Sequence, residues 1–294
     1  MSKNGVIIKG IGGQYCVLSG VEQHVCLARG RFRVDGVIPI VGDDVVFEPG
    51  TGNGHGYILE ILPRRNALKR PAVANIDRLV VVLSAGSPPP DLMLCDRLLV
   101  HAQAALVEPV VCVNKIDKVS PERVEELCEQ YRAVCSVIAV SAIAGTGIEQ
   151  LERYLAQGIT CFAGQSGVGK SSLLNALLPE AMLETSHISN KIQRGRHTTR
   201  SVSLLVFQGS GFVADTPGFS VLDWDLLEPE RLQSYYPDFV NYRDQCRFQG
   251  CKHHREPGCA VREAIDGGQI HPLRWERYVK LLYEVEERWK RRYD

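Results

Sequence analysis

Apolar and polar positions alternate in short runs along residues 6–62, and glycines separate the runs. Alternation with a period of two is typical of half-buried strands, and no stretch of this segment has a helical period. Several short strands at this spacing predict a small antiparallel β-barrel or sandwich. The size suits a five-stranded barrel of the oligonucleotide/oligosaccharide-binding (OB) type, to which we assign residues 1–70.

The pattern changes at residue 79, where continuous apolar runs begin to alternate with segments of helical period. Unbroken apolar runs predict buried parallel strands at residues 79–83, 110–113 and 136–140. Helical spacing predicts helices at about residues 91–105, 121–132 and 148–155. Strand–helix alternation with short turns is the pattern of a doubly wound α/β domain, which we assign to residues 71–224.

The composition narrows the class of protein. The 294 residues are 45% hydrophobic and 23% charged, which argues against a wholly disordered chain. Lys plus Arg and Asp plus Glu both number 34, so any contact with nucleic acid has to come from a local basic surface. No apolar run approaches the roughly 18–20 residues of a membrane span, and no export signal is recognisable. We therefore expect a cytoplasmic monomer whose ten cysteines are reduced.

Residues 164–171 form a glycine-rich loop, Gly-Gln-Ser-Gly-Val-Gly-Lys-Ser, between a predicted strand and a predicted helix. Glycines let backbone N–H groups turn inward around phosphates, and the helix that follows presents its positive end. The amine of Lys170 can reach the β- and γ-phosphates, and the hydroxyl of Ser171 can ligate Mg²⁺. The pattern predicts a nucleoside triphosphate site.

Two further motifs, Asn-Lys-Ile-Asp at 114–117 and Ser-Ala at 141–142, each follow a predicted strand. The carboxylate of Asp117 can accept hydrogen bonds from N1–H and the exocyclic amine of guanine, a pair of donors that adenine lacks. Asn114 can address the N7/O6 side, the Lys115 stem can lie over the purine, and the Ser-Ala turn can offer a backbone N–H to O6. Together with the phosphate loop, these residues predict guanine rather than adenine.

The motif Asp-Thr-Pro-Gly at 215–218 ends another apolar strand. Asp215 would hold Mg²⁺ through water, and the N–H of Gly218 would meet the γ-phosphate. Thr199, or less favourably Thr198, could complete the Mg²⁺ shell only while the γ-phosphate is present, which predicts a switch that is released after hydrolysis.

Phe219 stands where many GTPases carry a water-positioning glutamine. Because an apolar ring neither orients nor deprotonates water, we expect slow intrinsic hydrolysis. The imidazole of His197 is the candidate replacement, and a structural role is the alternative for it.

The two motifs predicted to bind the base, at 114–117 and 141–142, are called the base-reading motifs below. They precede the phosphate loop, whereas in Ras-like GTPases the phosphate loop comes first. A circular permutation accounts for this order. If the termini of a Ras-like domain are joined and the chain is opened at another point, the strands can still form the same sheet. The whole chain resembles the circularly permuted, ribosome small-subunit-dependent GTPases of the YjeQ/RsgA type. The resemblance rests on this permuted order of motifs, on Gly-Arg-His-Thr-Thr at 195–199, and on the flanking barrel and Cys/His cluster. The resemblance implies an OB-type barrel, a GTPase domain, a zinc domain, and a role in late maturation of the small ribosomal subunit, which stimulates hydrolysis.

Residues 225–294 begin with a Cys/His cluster and end in a helical stretch, so we assign them to a zinc-binding domain with a C-terminal helix. Cys246, Cys251, Cys259 and one histidine supply three thiolates and one imidazole, a set for one structural Zn²⁺ with no open position for water. His254 competes with His253 for the fourth place, and the resemblance favours His253. The helical stretch has an apolar stripe that should pack on the protein, consisting of Leu273, Tyr278, Leu281, Leu282, Val285 and Trp289.

Clustered basic residues predict where rRNA phosphates would bind, namely at Arg29, Arg31 and Arg33, at the switch residues Arg194 and Arg196, and in the linker 63–71. For the first three, a solvated strand edge is the alternative. The predicted function is a GTPase that hydrolyses GTP to GDP and phosphate on the small subunit and leaves it after hydrolysis. The alternatives are an RNA-binding zinc protein in which GTP is mainly a structural or regulatory ligand, and a P-loop kinase.

The predicted site residues divide by role. Catalysis is assigned to Lys170, Thr199 and His197, and Mg²⁺ binding to Ser171, Thr199 and Asp215. The residues assigned to GTP binding are Asn114, Lys115, Asp117, Ser141, Ala142, Gly164, Gln165, Ser166, Gly167, Val168, Gly169, Lys170, Ser171, Ser172, Asp215 and Gly218.

Overall fold

The computed structural model describes residues 1–30, 32, 36–51, 54–69, 71–178, 202–215 and 227–291. In its described parts the chain forms two compact units. The first contains Met1–Leu79, Ile148–Ala163 and Ser171–Val221, and the second contains Val80–Gly147, Gly164–Lys170 and Leu222–Asp294. The base-reading motifs and most of the phosphate loop therefore belong to the same unit, although the sequence separates them.

Five strands of the first unit close into a barrel, and they are β1 (Lys3–Ile11), β2 (Gln14–Ser19), β3 (Glu22–Ala28), β4 (Asp44–Glu48) and β5 (Gly56–Ile61). They pair in the order β1-β2-β3-β5-β4, and β4 returns to β1. Every pair is antiparallel except β3 with β5. Alternate residues such as Ile7, Val17 and Phe47 point inwards and have no exposed surface. The predicted five-stranded barrel is confirmed, with one parallel pair.

The barrel shares a strand with the rest of the first unit. β1 pairs with β12 (Ser203–Phe207), β12 pairs antiparallel with β13 (Gly211–Asp215), and β13 pairs parallel with β11 (Gly158–Ala163). Between barrel and sheet, β6 (Ala67–Lys69) and β7 (Ala72–Ala74) form a short hairpin. Two helices adjoin β11 in the chain, α3 (Ile148–Leu155) before it and α4 (Lys170–Leu177) after the phosphate loop.

Two arginines of the basic linker are bound to carboxylates. Arg64 donates to both oxygens of Asp43, at 2.6 and 2.9 Å, and Asp43 has no exposed surface. Arg65 donates to Oδ1 of Asp77 at 2.6 Å. Both guanidiniums are thus paired with carboxylates of the protein itself, and the contact of the linker with rRNA phosphates stays a prediction.

The second unit begins within β8 (Ile76–Ser84), which lies beside β9 (Glu108–Asn114), and β9 pairs parallel with β10 (Ser136–Ala139). Helix α1 (Leu92–Ala104) follows β8, and α2 (Pro121–Arg132) follows β9. Residues 80–83 and 110–113 are buried, as their unbroken apolar runs predicted. This strand–helix alternation places the carboxyl ends of β8 and β9 next to each other, where Ala85 N–H donates to the Asn114 carbonyl oxygen at 2.8 Å.

The C-terminal part of the second unit consists of short 3₁₀ segments followed by α5 (Ala260–Asp266) and α6 (Pro272–Lys290). Its core contains Tyr236, Phe239 and Tyr278, whose ring centroids lie 4.8–5.1 Å apart. Four residues of the apolar stripe predicted on α6 are buried, whereas Leu273 is 42% exposed; the buried four are Tyr278, Leu281, Leu282 and Val285. Among the helices that the structure describes, none combines the length and the hydropathy needed to traverse a bilayer.

A buried charge cluster joins α6 to α1. Arg274, only 1% exposed, donates to Asp96 at 2.8 Å and to Asp238 at 2.9 Å. Arg277 donates to the other oxygen of Asp96 at 2.6 Å and to Gln130 at 3.0 Å. Two cations and two anions balance, so the buried side of α6 carries an ionic cluster in addition to the apolar stripe that the sequence predicted.

Candidate functional site

The phosphate loop occupies the turn between β11 and α4. Gly164 and Gly169 have φ angles of 141° and 97°. A Cβ atom at Gly164 would lie 2.4 Å from the Val82 carbonyl oxygen, and one at Gly169 would lie 2.4 Å from Nδ2 of Asn114. Larger residues are therefore excluded at both positions, and the backbone can approach a ligand closely.

Lys170, the first residue of α4, folds back over the loop. Its Nζ donates to the carbonyl oxygens of Gly164 at 2.7 Å and Gln165 at 2.8 Å. Burial lowers the pKa of this amine. An ammonium held here, at the positive end of α4, can receive the phosphates of a nucleotide.

The base-reading strand is joined directly to the phosphate loop. Asn114 ends β9 and is 2% exposed. Its Nδ2 donates to the Val168 carbonyl oxygen at 3.0 Å, and its Oδ1 accepts from Ala142 N–H at 3.2 Å. The next residue, Lys115, has a left-handed φ of 64°, and its Nζ donates to the Gly167 carbonyl oxygen at 2.7 Å. Three motifs that are far apart in the chain thus converge at one place.

Asp117 is held by the Ser-Ala turn. Ser141 Oγ donates to Oδ1 of Asp117 at 2.6 Å and accepts from Ala144 N–H at 3.1 Å. The turn is closed by a hydrogen bond from Ser141 N–H to the Thr146 carbonyl oxygen at 3.0 Å. The hydrogen bond from Ser141 is the main cause that lowers the pKa of Asp117. A lowered pKa keeps this partly exposed side chain ionised, so that its two oxygens can accept hydrogen bonds from two donors of a base.

The other residues predicted to bind nucleotide, Mg²⁺ or rRNA lie partly within and partly outside the described segments. Ser171 and Ser172 are exposed in the first turn of α4, and Asp215 is the last residue of β13. The predictions for Gly218, Thr199, His197, Arg194 and Arg196 lie outside the described residues, as do those for Arg31 and Arg33. Arg29 is described, and its guanidinium lies 3.5 Å from Glu48 on the barrel surface.

The Cys/His cluster converges in the second unit. Sulfur and nitrogen ligand atoms of Cys246, Cys251, His253 and Cys259 all lie within 4.8 Å of one another. Nδ1 of His253 is 3.4 Å from Cys259 Sγ and 3.5 Å from Cys246 Sγ, and these two sulfurs are 3.9 Å apart. Ligands of a tetrahedral Zn²⁺ with bonds of about 2.0–2.3 Å lie roughly 3.5–3.8 Å apart, so the set fits this ion.

Two observations bear on the chemistry of the cluster. Burial raises the pKa of the Cys251 thiol to about 12, so a thiolate there needs the positive charge of a metal ion. His254, the competing ligand, lies elsewhere, with Nδ1 3.0 Å from the hydroxyl of Tyr283. The described geometry therefore brings His253, and not His254, to the three thiols.

The pairing of Arg274 and Arg277 with Asp96 is a feature that sequence reasoning missed. Helical periodicity predicts that the apolar side chains of a helix are buried. Charged residues on a terminal helix are ordinarily assigned to the face in contact with solvent. The available signal was Asp96 in the second turn of α1, at helical spacing from the apolar Leu92 and Leu99.

Two family models together match most of the chain. The family model described as RsgA GTPase matches residues 61–225, and that described as RsgA N-terminal domain matches residues 4–58. A protein of Caldanaerobacter subterraneus subsp. tengcongensis named small ribosomal subunit biogenesis GTPase RsgA is 45% identical over 290 residues, covering 98% of each chain. A protein of the same name from Halalkalibacterium halodurans is 44% identical over 294 residues, covering 98% of this chain and 99% of the other.

Solved structures give the same result. YjeQ from Thermotoga maritima superposes with a TM-score of 0.84 at 35% identity, covering 97% of this chain and 99% of that one. YloQ, described as a circularly permuted GTPase, has a TM-score of 0.83 at 35% identity, covering 98% and 96%. The chain therefore belongs to the RsgA family of GTPases, as the permuted order of its motifs predicted.

Proposed function

We propose that this protein binds GTP at the junction of the base-reading strand and the phosphate loop, and hydrolyses it in the biogenesis of the small ribosomal subunit. The observation that carries the proposal is the Asn114 side chain, which bonds the Val168 carbonyl oxygen and the Ala142 N–H at once. Because one side chain ties the loop to both base-reading motifs, a single purine nucleotide can reach all three.

In this proposal, guanine is read by the carboxylate of Asp117, and the Ser-Ala turn faces O6. The hydrogen bond from Ser141 supports this role, because it orients the carboxylate and keeps it ionised. Adenine offers no matching pair of donors, so it would be poorly matched to the carboxylate.

Lys170 would bind the β- and γ-phosphates, with backbone N–H groups of residues 164–169 around them. Ser171 would ligate Mg²⁺ directly, Asp215 through water, and Thr199 only while the γ-phosphate is present; the Gly218 N–H would meet the same phosphate. When bound, the ion would supply positive charge that offsets the charge developing on the phosphates.

The attacking water would be oriented by His197, since Phe219 offers no polar atom for it. Intrinsic hydrolysis of GTP is then slow. Binding to the small subunit would bring the switch segment, which contains His197 and Thr199, into the conformation that hydrolysis needs. GTP occupancy would favour the bound state, and hydrolysis would release the protein late in subunit maturation.

The relatives named small ribosomal subunit biogenesis GTPases support this partner, as does the barrel that precedes the GTPase domain. Contacts to rRNA phosphates are assigned to Arg29, Arg31, Arg33, Arg194 and Arg196, giving an affinity that falls with salt. One structural Zn²⁺ would be held by the three thiolates and His253, where it stabilises the fold of the C-terminal module.

The decisive experiment measures GTP turnover of the full-length protein with and without purified small subunits, with Lys170→Ala as the inactive control. Strong stimulation of the wild type alone is the expected result. If subunits leave turnover unchanged, and if Lys170→Ala still associates with subunits regardless of nucleotide, the protein is an RNA-binding zinc protein in which GTP is a structural ligand.

A further inference from the structure

The imidazole of His253 is held from several sides. Its side chain has no exposed surface, and its backbone has a left-handed φ of 58°. The indole N–H of Trp275 donates to the His253 carbonyl oxygen at 2.7 Å, and the ring packs edge-on against Phe239, with centroids 5.7 Å apart. These contacts leave the imidazole little freedom to rotate, so each ring nitrogen keeps its own partner.

The two ring nitrogens of His253 face different groups. Nδ1 points to the thiols of Cys246 and Cys259, at 3.5 and 3.4 Å. Nε2 lies 2.7 Å from Oε1 of Gln233, a residue that lies outside the Cys/His motif on the 3₁₀ segment Pro229–Tyr235.

The orientation of the Gln233 amide follows from its other contacts. Its Nε2 lies 3.4 Å from the Cys251 carbonyl oxygen and 3.5 Å from that of Glu230. Carbonyl oxygens only accept hydrogen bonds, so the NH₂ group faces them and Oε1 faces His253. Nε2 of His253 is then the protonated nitrogen, which donates to Gln233, and the lone pair of Nδ1 is left for a metal ion.

We propose that Gln233 is a positioning residue of the metal site, and that it selects Nδ1 of His253 as the ligand atom. This inference rests on the proposed binding of Zn²⁺ by the cluster. By accepting the Nε2–H proton, Gln233 fixes the tautomer and the ring orientation that a tetrahedral site needs, and it makes Nδ1 a stronger ligand. Its 3₁₀ segment is anchored by Leu232, which has no exposed surface, so metal occupancy is linked to the seating of this segment.

The test compares release of Zn²⁺ from the zinc-loaded, full-length protein to a chromophoric chelator in three variants. Gln233→Met keeps the length of the side chain but removes the acceptor. Gln233→Glu keeps an acceptor for Nε2–H, but it adds a negative charge and replaces the NH₂ group by an oxygen that faces the two carbonyl oxygens at 3.4 and 3.5 Å. Gln269→Met is the matched control on an exposed glutamine of the same unit. GDP affinity of each zinc-loaded variant reports whether the unit is folded.

We expect Gln233→Met to lower zinc affinity by about 10–100-fold, Gln233→Glu to retain more of the affinity because it keeps the acceptor, and Gln269→Met to stay within a few-fold of wild type. In ¹⁵N spectra of histidine-labelled, zinc-loaded wild type, Nε2 of His253 should carry the proton. Retention of zinc by Gln233→Met at the wild-type level, equal loss in Gln233→Met and Gln233→Glu, or a proton on Nδ1 would each overturn the role of Gln233. A wild-type protein that binds no stoichiometric zinc would instead refute the proposed metal site itself.

Discussion

The Asn114 amide donates from Nδ2 to the backbone carbonyl oxygen of Val168 at 3.0 Å, which ties the end of β9 to the middle of the phosphate loop. The Oδ1 atom of the same amide accepts from Ala142 N–H. Because Asn114 is 2% exposed, water cannot replace these bonds. In the proposed site, one side chain therefore sets the spacing between the strand end that would bind the base and the loop that would bind the phosphates.

Asn114→Ala should lower GDP affinity by about 10–100-fold, because it removes the partner of the partly buried Ala142 N–H and that of the buried Val168 carbonyl oxygen, the latter at roughly 1–3 kcal/mol. Fluorescent GDP titration measures the change. The control is Asn241→Ala, an exposed asparagine of the same unit, which should bind like wild type. An Asn114→Ala protein with unaltered affinity would show that the loop holds its shape without this link.

Asp117→Asn should shift the preference of the protein from guanine to xanthine nucleotides. The amide that replaces the carboxylate can donate to the second carbonyl oxygen of xanthine, and it no longer accepts from the exocyclic amine of guanine. Competition between GDP and XDP measures the preference in both proteins. A variant that still selects GDP would remove Asp117 from base reading.

Nucleotide affinity should fall at alkaline pH because of Lys170. Burial lowers the pKa of this amine below its ordinary value of 10.5, and only the ammonium form attracts phosphate. Binding therefore stays strong below the lowered pKa of the free site and weakens as pH rises through it. Lys170→Arg, whose guanidinium does not titrate in this range, corrects for titration of the nucleotide itself. GDP affinities between pH 8 and 10 should fall more steeply for wild type than for Lys170→Arg, and parallel curves would contradict this account.

Arg274→Met should destabilise the second unit by about 3–5 kcal/mol, because it leaves Asp96 and Asp238 buried with less compensating charge. Arg97→Met is the control. Arg97 also joins α1 to α6, through Glu284, but this pair is partly exposed, so its loss should cost below about 1 kcal/mol. Urea unfolding of both variants measures the difference. Equal losses would mean that burial does not govern the strength of these ion pairs.

Local sequence patterns were sufficient to predict the secondary-structure elements and the sequence motifs. The apolar run at 79–83 predicted a buried strand, and the glycines at 164, 167 and 169 predicted a tight phosphate-binding loop, where the structure has positive φ angles. Such features depend on neighbouring residues, because strand period and glycine conformation are properties of a short segment. The permuted order of the motifs could likewise be read without coordinates, and it led to the family.

The tertiary structure alone decided which polar groups meet. Arg274 is buried because Asp96, 178 positions away, supplies a carboxylate inside the protein, and no local pattern carries that information. Arg64 and Asp43 form a similar pair, although composition placed Arg64 on a basic surface. His253 and His254 are adjacent and chemically identical, so only the fold distinguishes the ring that faces three thiols from the ring that faces Tyr283. Long-range pairing depends on the balance between desolvation and a specific partner, and that balance is set when distant segments pack.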